Sequence, residues 1–194
     1  LKQLLTIAIL GYTLGAFAQG VPAASSTGSS ADLGAQAAAD VIRSAAGSDF
    51  AFLASGLLKS TYNKEDLSTI LEFPTDEIVV VSLTGAEVRQ AMERSVQLYP
   101  QSNTSFLQVS GLDVSFKKNG LPNERITGIT SSSGPIQDGK SYSVAMPGNL
   151  ARGGLGYFKI WNKNKISKSL GTTLEQALKG KKFTDSSPRW SAQG

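Results

Sequence analysis

Apolar positions along this chain recur first at a helical interval and then at strand intervals. Leu33, Ala37 and Val41, with neighbouring Ala38, Ile42 and Ala45, share one face at three-to-four-residue spacing, which predicts a helix. Asp32 stands where a side chain can accept the first N–H groups, and Gly47 where a left-handed residue ends a helix. The run FAFLA at 50–54 is continuously apolar and short, which predicts a buried strand. Ser55-Gly56 turns the chain, and Asn63 is positioned to cap a short helix through Leu71. The β-branched run EIVVVSL at 77–83 predicts a strand, and Thr84-Gly85-Ala86-Glu87 reads as a capping box. The helix that follows places Val88, Ala91, Met92, Ser95, Val96 and Tyr99 on one side and stops at Pro100.

Strands are predicted at 106–109 and 112–116 around Ser110-Gly111, and at 125–130 after the Asn119-Gly120 turn. Over 140–146, Tyr142, Val144 and Met146 alternate with Ser141, Ser143 and Ala145, the period of a strand with two unlike faces. Pro147 and Gly148 stop it, residues 157–161 are mostly apolar, and Thr172 or Thr173 caps a last helix at 174–178. Helices and strands are mixed without a regular βαβ repeat, which predicts an α+β fold of mixed sheets packed with helices.

The ends read differently. Residues 1–18 have the pattern of a secretory signal peptide, with Lys2, an apolar stretch and Ala16-Phe17-Ala18 at the cleavage position. Retention as an uncleaved membrane anchor stays open as the second reading. Residues 19–30 form a flexible linker, residues 31–182 the domain, and 183–194 a poorly ordered tail that Trp190 alone could tack down.

Composition changes this picture mainly by exclusion. The 194 residues are 40% hydrophobic and 18% charged, and contain neither Cys nor His. No disulfide, thiolate nucleophile, imidazole base or His/Cys metal site can therefore form within this sequence. A Ser–His–Asp or Cys–His mechanism is excluded. The net charge is +4, and from Arg152 onward nine Lys/Arg face two Asp/Glu. That basic third suits a phosphate-bearing ligand or simply a solvated face. Lys163, Lys165 and Lys168 beside Trp161 read as such a face, and no nucleic acid is expected.

One stretch concentrates unusual backbone demands: YSVAMPGNLARGGLGY, residues 142–157. Gly153, Gly154 and Gly156 require either positive φ or close approach by another group, which could be a ligand or a neighbouring part of the chain. Both readings stand at this level.

Several stretches, in order, resemble one family. TGAEVRQAMERSV at 84–96, FLQVSGLDVSF at 106–116, the segment 67–80 and the strand and glycine loop of 139–157 are similar to the C-terminal, substrate-binding domain of 5′-nucleotidases. In that family a separate metallophosphoesterase domain holds two metal ions, and the C-terminal domain grips the nucleoside between two phenylalanines. The resemblance carries the first ring to Phe73. Asn149 stands where the second ring belongs, and Leu155 where an acid meets the ribose hydroxyls. Ala54, Lys59 and Thr75 replace the family's Asn, Arg and Asn, while Gly56, Gly153, Gly154, Gly156 and Tyr157 are kept. Stacking contributes about 1–3 kcal/mol per face, so loss of one ring weakens such a site.

The resemblance implies an exported, secreted or periplasmic nucleotide-binding module, itself non-catalytic. It would assist phosphate-ester hydrolysis with a separate metallophosphoesterase. The implied ligand-binding residues are Phe73, Lys59, Asn149, Arg152, Gly153, Gly154 and Tyr157, with Arg152, Lys59 and Phe73 holding a flat, anionic nucleotide or nucleoside. No cofactor is expected in this chain, since divalent metals belong to the partner domain. The alternative is a degenerate domain serving protein interaction or another ligand. An independent hydrolase is a third reading.

Overall fold

A computed structural model describes residues 28–184 and 187–194, together with the backbone of Ala23 and Ala24. The signal-peptide reading of residues 1–18 and most of the linker fall outside the described residues. No helix among those described is long and apolar enough to cross a membrane.

In chain order the strands are β1 (Ala23–Ala24), β2 (Phe50–Ala54), β3 (Thr61–Tyr62), β4 (Glu77–Thr84), β5 (Leu107–Ser110) and β6 (Asp113–Lys117). They continue with β7 (Ile126–Ser131), β8 (Gly134–Pro135), β9 (Ser141–Pro147), β10 (Ile166–Thr173) and β11 (Trp190–Gln193). The helices are α1 (Leu33–Ala46), α2 (Gly85–Ser95), α3 (Gly148–Ala151) and α4 (Leu174–Leu178), with short 3-10 turns between. The fold is α+β, as the mixed patterning predicts.

A five-stranded sheet, order β10-β4-β9-β2-β5, forms the middle layer, with β2 and β9 parallel and the other pairs antiparallel. Alternation divides its side chains between two cores. Phe50, Phe52, Val79, Val81, Leu83, Tyr142, Val144 and Met146 face one way, into a core shared with α2. Ala51, Leu53, Ile78 and Ala145 face the other, against Ala35, Ala38, Ile42 of α1 and Leu174, Leu178 of α4. A second sheet, β11-β6-β7-β8, closes the first core with Val114, Phe116, Ile129 and Trp190.

The caps follow the sequence. Asp32 Oδ1 accepts the Ala35 N–H at 2.9 Å, and Gly47 closes α1 at φ 61°. At α2, Thr84 Oγ1 accepts the Glu87 N–H at 3.2 Å while Glu87 Oε2 accepts the Thr84 N–H at 2.9 Å, the reciprocal box. Thr173 caps α4 in the same way with Gln176.

Three expectations need correction. No helix begins at Asn63: a single 3-10 turn, Leu67–Ile70, is capped instead by Asp66, whose carboxylate takes the Ser68 N–H at 3.0 Å. Strand β10 has no counterpart in the sequence reading, because ISKSLGTT is an edge strand with mostly exposed side chains and no apolar alternation. The tail expected at 183–194 ends in β11, which runs parallel to β6 with Trp190 opposite Val114. Trp190 is the reason: its ring packs on Phe106 and Phe116, and its indole N–H donates to the Leu107 carbonyl at 2.9 Å.

Candidate functional site

Strand β9 delivers the chain to the glycine loop. After α3, Gly153 adopts φ 95°, and the next 3-10 segment, Gly154–Lys159, carries Leu155 at φ 53° and Gly156 at φ 80°. A Cβ on Gly153 would come within 2.7 Å of Phe158 Cα, and one on Gly156 within 2.0 Å of Arg94 Nη2. The groups that forbid side chains here are the protein's own, which favours the structural reading of these two glycines. Gly154 abuts the Asn149 carbonyl.

Leu155 sits in the left-handed region without being glycine, a conformation that persists only when its surroundings hold it. Two donors do so. Arg94 Nη2 donates to the Leu155 carbonyl at 2.6 Å and Ser105 Oγ donates to it at 2.8 Å. The Arg94 guanidinium also lies 5.3 Å over the Tyr157 ring.

Tyr157 is buried. Its ring stacks on Trp161 at 4.4 Å between centroids and 10° between planes. Its hydroxyl donates to the Ser105 carbonyl at 2.6 Å, and the Trp161 indole N–H donates to the Leu150 carbonyl at 2.8 Å. Burial pushes the phenol well above its ordinary range, against smaller opposing effects of Ser95 and the Arg94 cation. Expected as a ligand contact, Tyr157 is instead a core residue: a ring with no exposed surface shapes the loop from beneath.

Phe73 lies on a turn closed by the Asp76 N–H to the Phe73 carbonyl at 3.2 Å, and the residue is 48% exposed. Asp76 ties this turn to the loop. Its Oδ2 accepts the Asn149 backbone N–H at 3.0 Å, and its Oδ1 lies 3.7 Å from Arg152 Nη2. Arg152 reaches Glu77 Oε1 at 3.6 Å and donates to Asn149 Oδ1 at 3.2 Å. Phe73, Asn149 and Arg152 are thus brought to one corner. Lys59 is exposed on a neighbouring stretch, where its N–H donates to the Ile70 carbonyl at 2.8 Å and Leu58 bridges Leu71. Leu155 lies against Gly56, joining the loop to that stretch.

The expected cationic grip is altered by this geometry. Arg152 faces two carboxylates, so its charge is already balanced before any anion arrives. Two organising residues, Asp76 and Arg94, escape the sequence reading. Asp76 follows Phe-Pro-Thr in a turn and Arg94 follows Glu93 in α2, and neither setting marks a contact with the glycine loop.

Among the described residues no group of three His, Cys, Asp or Glu could hold a metal ion. With neither His nor Cys in the sequence, its possible metal ligands are oxygen atoms only.

The core is α+β, with a five-stranded sheet between two hydrophobic cores and a glycine loop tied to the Phe73 turn. The family described as 5′-nucleotidase, C-terminal domain, matches residues 14–162, and the chain belongs to that family. It is 32% identical over 108 residues to a 5′-nucleotidase of Homo sapiens, covering 52% of this chain and 19% of that protein. It is 30% identical over 104 residues to a snake venom 5′-nucleotidase of Naja atra, covering 50% and 20%. The chain thus spans about a fifth of the length of these relatives. Its fold is shared with a 5′-nucleotidase precursor from Thermus thermophilus, with a TM-score of 0.72 and 21% identity over 86% of this chain and 36% of that one. It is also shared with the NAD nucleotidase of Haemophilus influenzae, with a TM-score of 0.67 and 14% identity over 91% and 37%.

Proposed function

We propose that this domain supplies the base-contacting half of a site for nucleotide-like phosphate esters, with hydrolysis carried out by a metallophosphoesterase domain. The single observation that carries this reading is the exposed Phe73 ring on a turn that Asp76 pins to the Asn149–Arg152 corner. An exposed, rigidly mounted aromatic ring is a stacking platform for a flat ligand. Export completes the proposal: it rests on the signal-like residues 1–18, and three relatives carry venom in their names.

The reading is tested by calorimetric titration of the chain with adenosine and AMP, alone and mixed with a metallophosphoesterase domain. Binding that the Phe73→Ala variant loses supports it. No binding at millimolar ligand, with or without the second domain, overturns it.

A second reading is favoured by one specific observation: Arg152 is engaged by Asp76 and Glu77. With Asn149 and Leu155 in place of a ring and an acid, the corner is then a degenerate one, serving protein interaction or another ligand. Nucleoside binding that Phe73→Ala abolishes excludes it.

A further inference from the structure

A cleft of about 510 Å³ opens on the far side of the glycine loop, between α2 and the segment Gly156–Ile160. Its lining places three cations, Arg89, Arg94 and Lys159, around one carboxylate, Glu93. That carboxylate is already engaged: Glu93 is buried, and its two oxygens accept the Arg125 and Ile126 backbone N–H groups at 3.1 and 2.8 Å. The lining thus carries three cations against the single charge of Glu93, whose orientation is fixed by these two N–H groups.

Two of the cations are weakly committed, and Arg94 is held in place beside them. Among the described residues Arg89 pairs with Asp138, at 3.5 Å with both side chains substantially exposed, a pair worth little in water. Arg94 uses Nη2 for Leu155 and Ser105 and lies over the Tyr157 ring, while its buried Nε–H has no acceptor among the described residues. Lys159 is exposed at the rim. Spacing explains the convergence: Arg89 stands about one helical turn before the adjacent Glu93 and Arg94 on α2, and the loop with left-handed Leu155 and Gly156 leads to Lys159 beside them. Gln97 and Asn123 add amide donors and Ile160 an apolar wall.

We infer that this cleft is a binding site for a small ligand bearing a phosphate-type polyanion, separate from the Phe73 corner. Guanidinium groups suit such an oxyanion through paired N–H donors, with the lysine adding a point charge. A concave site with net positive lining concentrates that ligand further. Because Arg94 also holds the Leu155 carbonyl, a ligand here touches the residue that fixes the glycine loop.

The test uses the whole chain and inorganic pyrophosphate, which carries no ring and does not probe Phe73. Calorimetry is expected to give saturable binding that weakens as salt is raised. Arg89→Ala with Lys159→Ala, a part-exposed and an exposed position, is expected to weaken it by about tenfold or more while leaving the circular dichroism spectrum unchanged. AMP and inorganic phosphate as competitors distinguish an organic phosphate from free phosphate as the source of the anion, and displacement by either upholds the site. Absence of saturable binding overturns the inference, as does pyrophosphate affinity that the double variant leaves intact. Adenosine binding, which probes only the Phe73 reading, is expected to be the same in the double variant and the parent. The two readings therefore fail independently.

Discussion

Arg94 holds Leu155 by its backbone carbonyl, at 2.6 Å, across 61 positions of sequence. The guanidinium reaches Ser105 Oγ at 3.2 Å from the same nitrogen, and it covers the Tyr157 ring. One side chain of α2 thus fixes the left-handed turn of the glycine loop. Arg94→Lys keeps the charge and the helix propensity but removes the planar fork. Loss of a charge-assisted hydrogen bond to a held carbonyl is expected to cost about 1.5–3 kcal/mol. A lowered urea midpoint with unchanged denaturant slope checks it, and an unchanged midpoint contradicts the assigned role.

Tyr157 gives the fold an alkaline limit. Burial raises the phenol above its ordinary value, so the folded state keeps its proton at pH values where the unfolded chain releases it. The contribution of Tyr157 is therefore full below pH 10.0, the ordinary value, and falls as pH rises beyond it. Tyr62, raised by burial and by Asp32, adds to the same trend. Tyr157→Phe is expected to flatten the slope of urea midpoint against pH in that range. It also strands the Ser105 carbonyl, costing about 1–3 kcal/mol at neutral pH.

The acid side has a corresponding contributor. Burial acts to raise the Glu87 carboxyl, but the Lys165 ammonium at 2.8 Å and the Thr84 N–H and hydroxyl outweigh it and leave it lowered. A depressed folded value means stability present above the unfolded value of 4.5 and lost as pH falls through the folded one. Glu87→Gln, which can still accept the Thr84 N–H, is expected to lower the neutral-pH midpoint and reduce its decline below that value. A parallel acid limb in the variant contradicts the assignment.

These residues show what the sequence made legible. Asp32, Thr84, Glu87 and the alternation of Tyr142, Val144 and Met146 act on neighbours within a few positions, and each is read correctly from local spacing. Strand β10 escapes because its pairing with β4 satisfies backbone groups while only Ile166 and Leu170 of its apolar side chains touch the cores, four positions apart. Asn63 misleads because its carboxamide closes a local turn onto the Glu65 N–H at 3.0 Å instead of starting a helix. At the site, the glycines announce the loop's shape, but Asp76 and Arg94 reach it from 73 and 61 positions away. No local pattern encodes such contacts. Tyr157 is the converse case, conspicuous in the sequence beside the glycines yet folded inward by its stack on Trp161.

The last strand lies beyond the matched residues 14–162 and is nevertheless integral to the core. Trp190 is buried, packs on Phe106 and Phe116, and donates to Leu107. Next to it, Arg189 joins β11 to α1 through Asp40 at 2.6 Å and donates to the Val109 carbonyl at 2.8 Å. Trp190→Ala is expected to cost about 3–5 kcal/mol, the range for a large ring removed from a core. Thermal unfolding measures it, and an unmoved transition would mean that β11 is an ornament on an independently stable sheet.

The Phe73 corner makes two side chains separable. Arg152 is half-exposed and sits 3.6 Å from Glu77 and 3.7 Å from Asp76, so an arriving anion competes with two carboxylates for it. Phe73 has no such competitor for its exposed face. Arg152→Ala is therefore expected to change AMP affinity by less than about threefold, the scale of an exposed ion pair. Phe73→Ala is expected to weaken adenosine and AMP alike by about tenfold, the scale of one stacked base. Calorimetry of both variants with both ligands decides the point. Loss of AMP but not adenosine on removing Arg152 would return the phosphate grip to that residue and show that Asp76 and Glu77 release it when ligand binds.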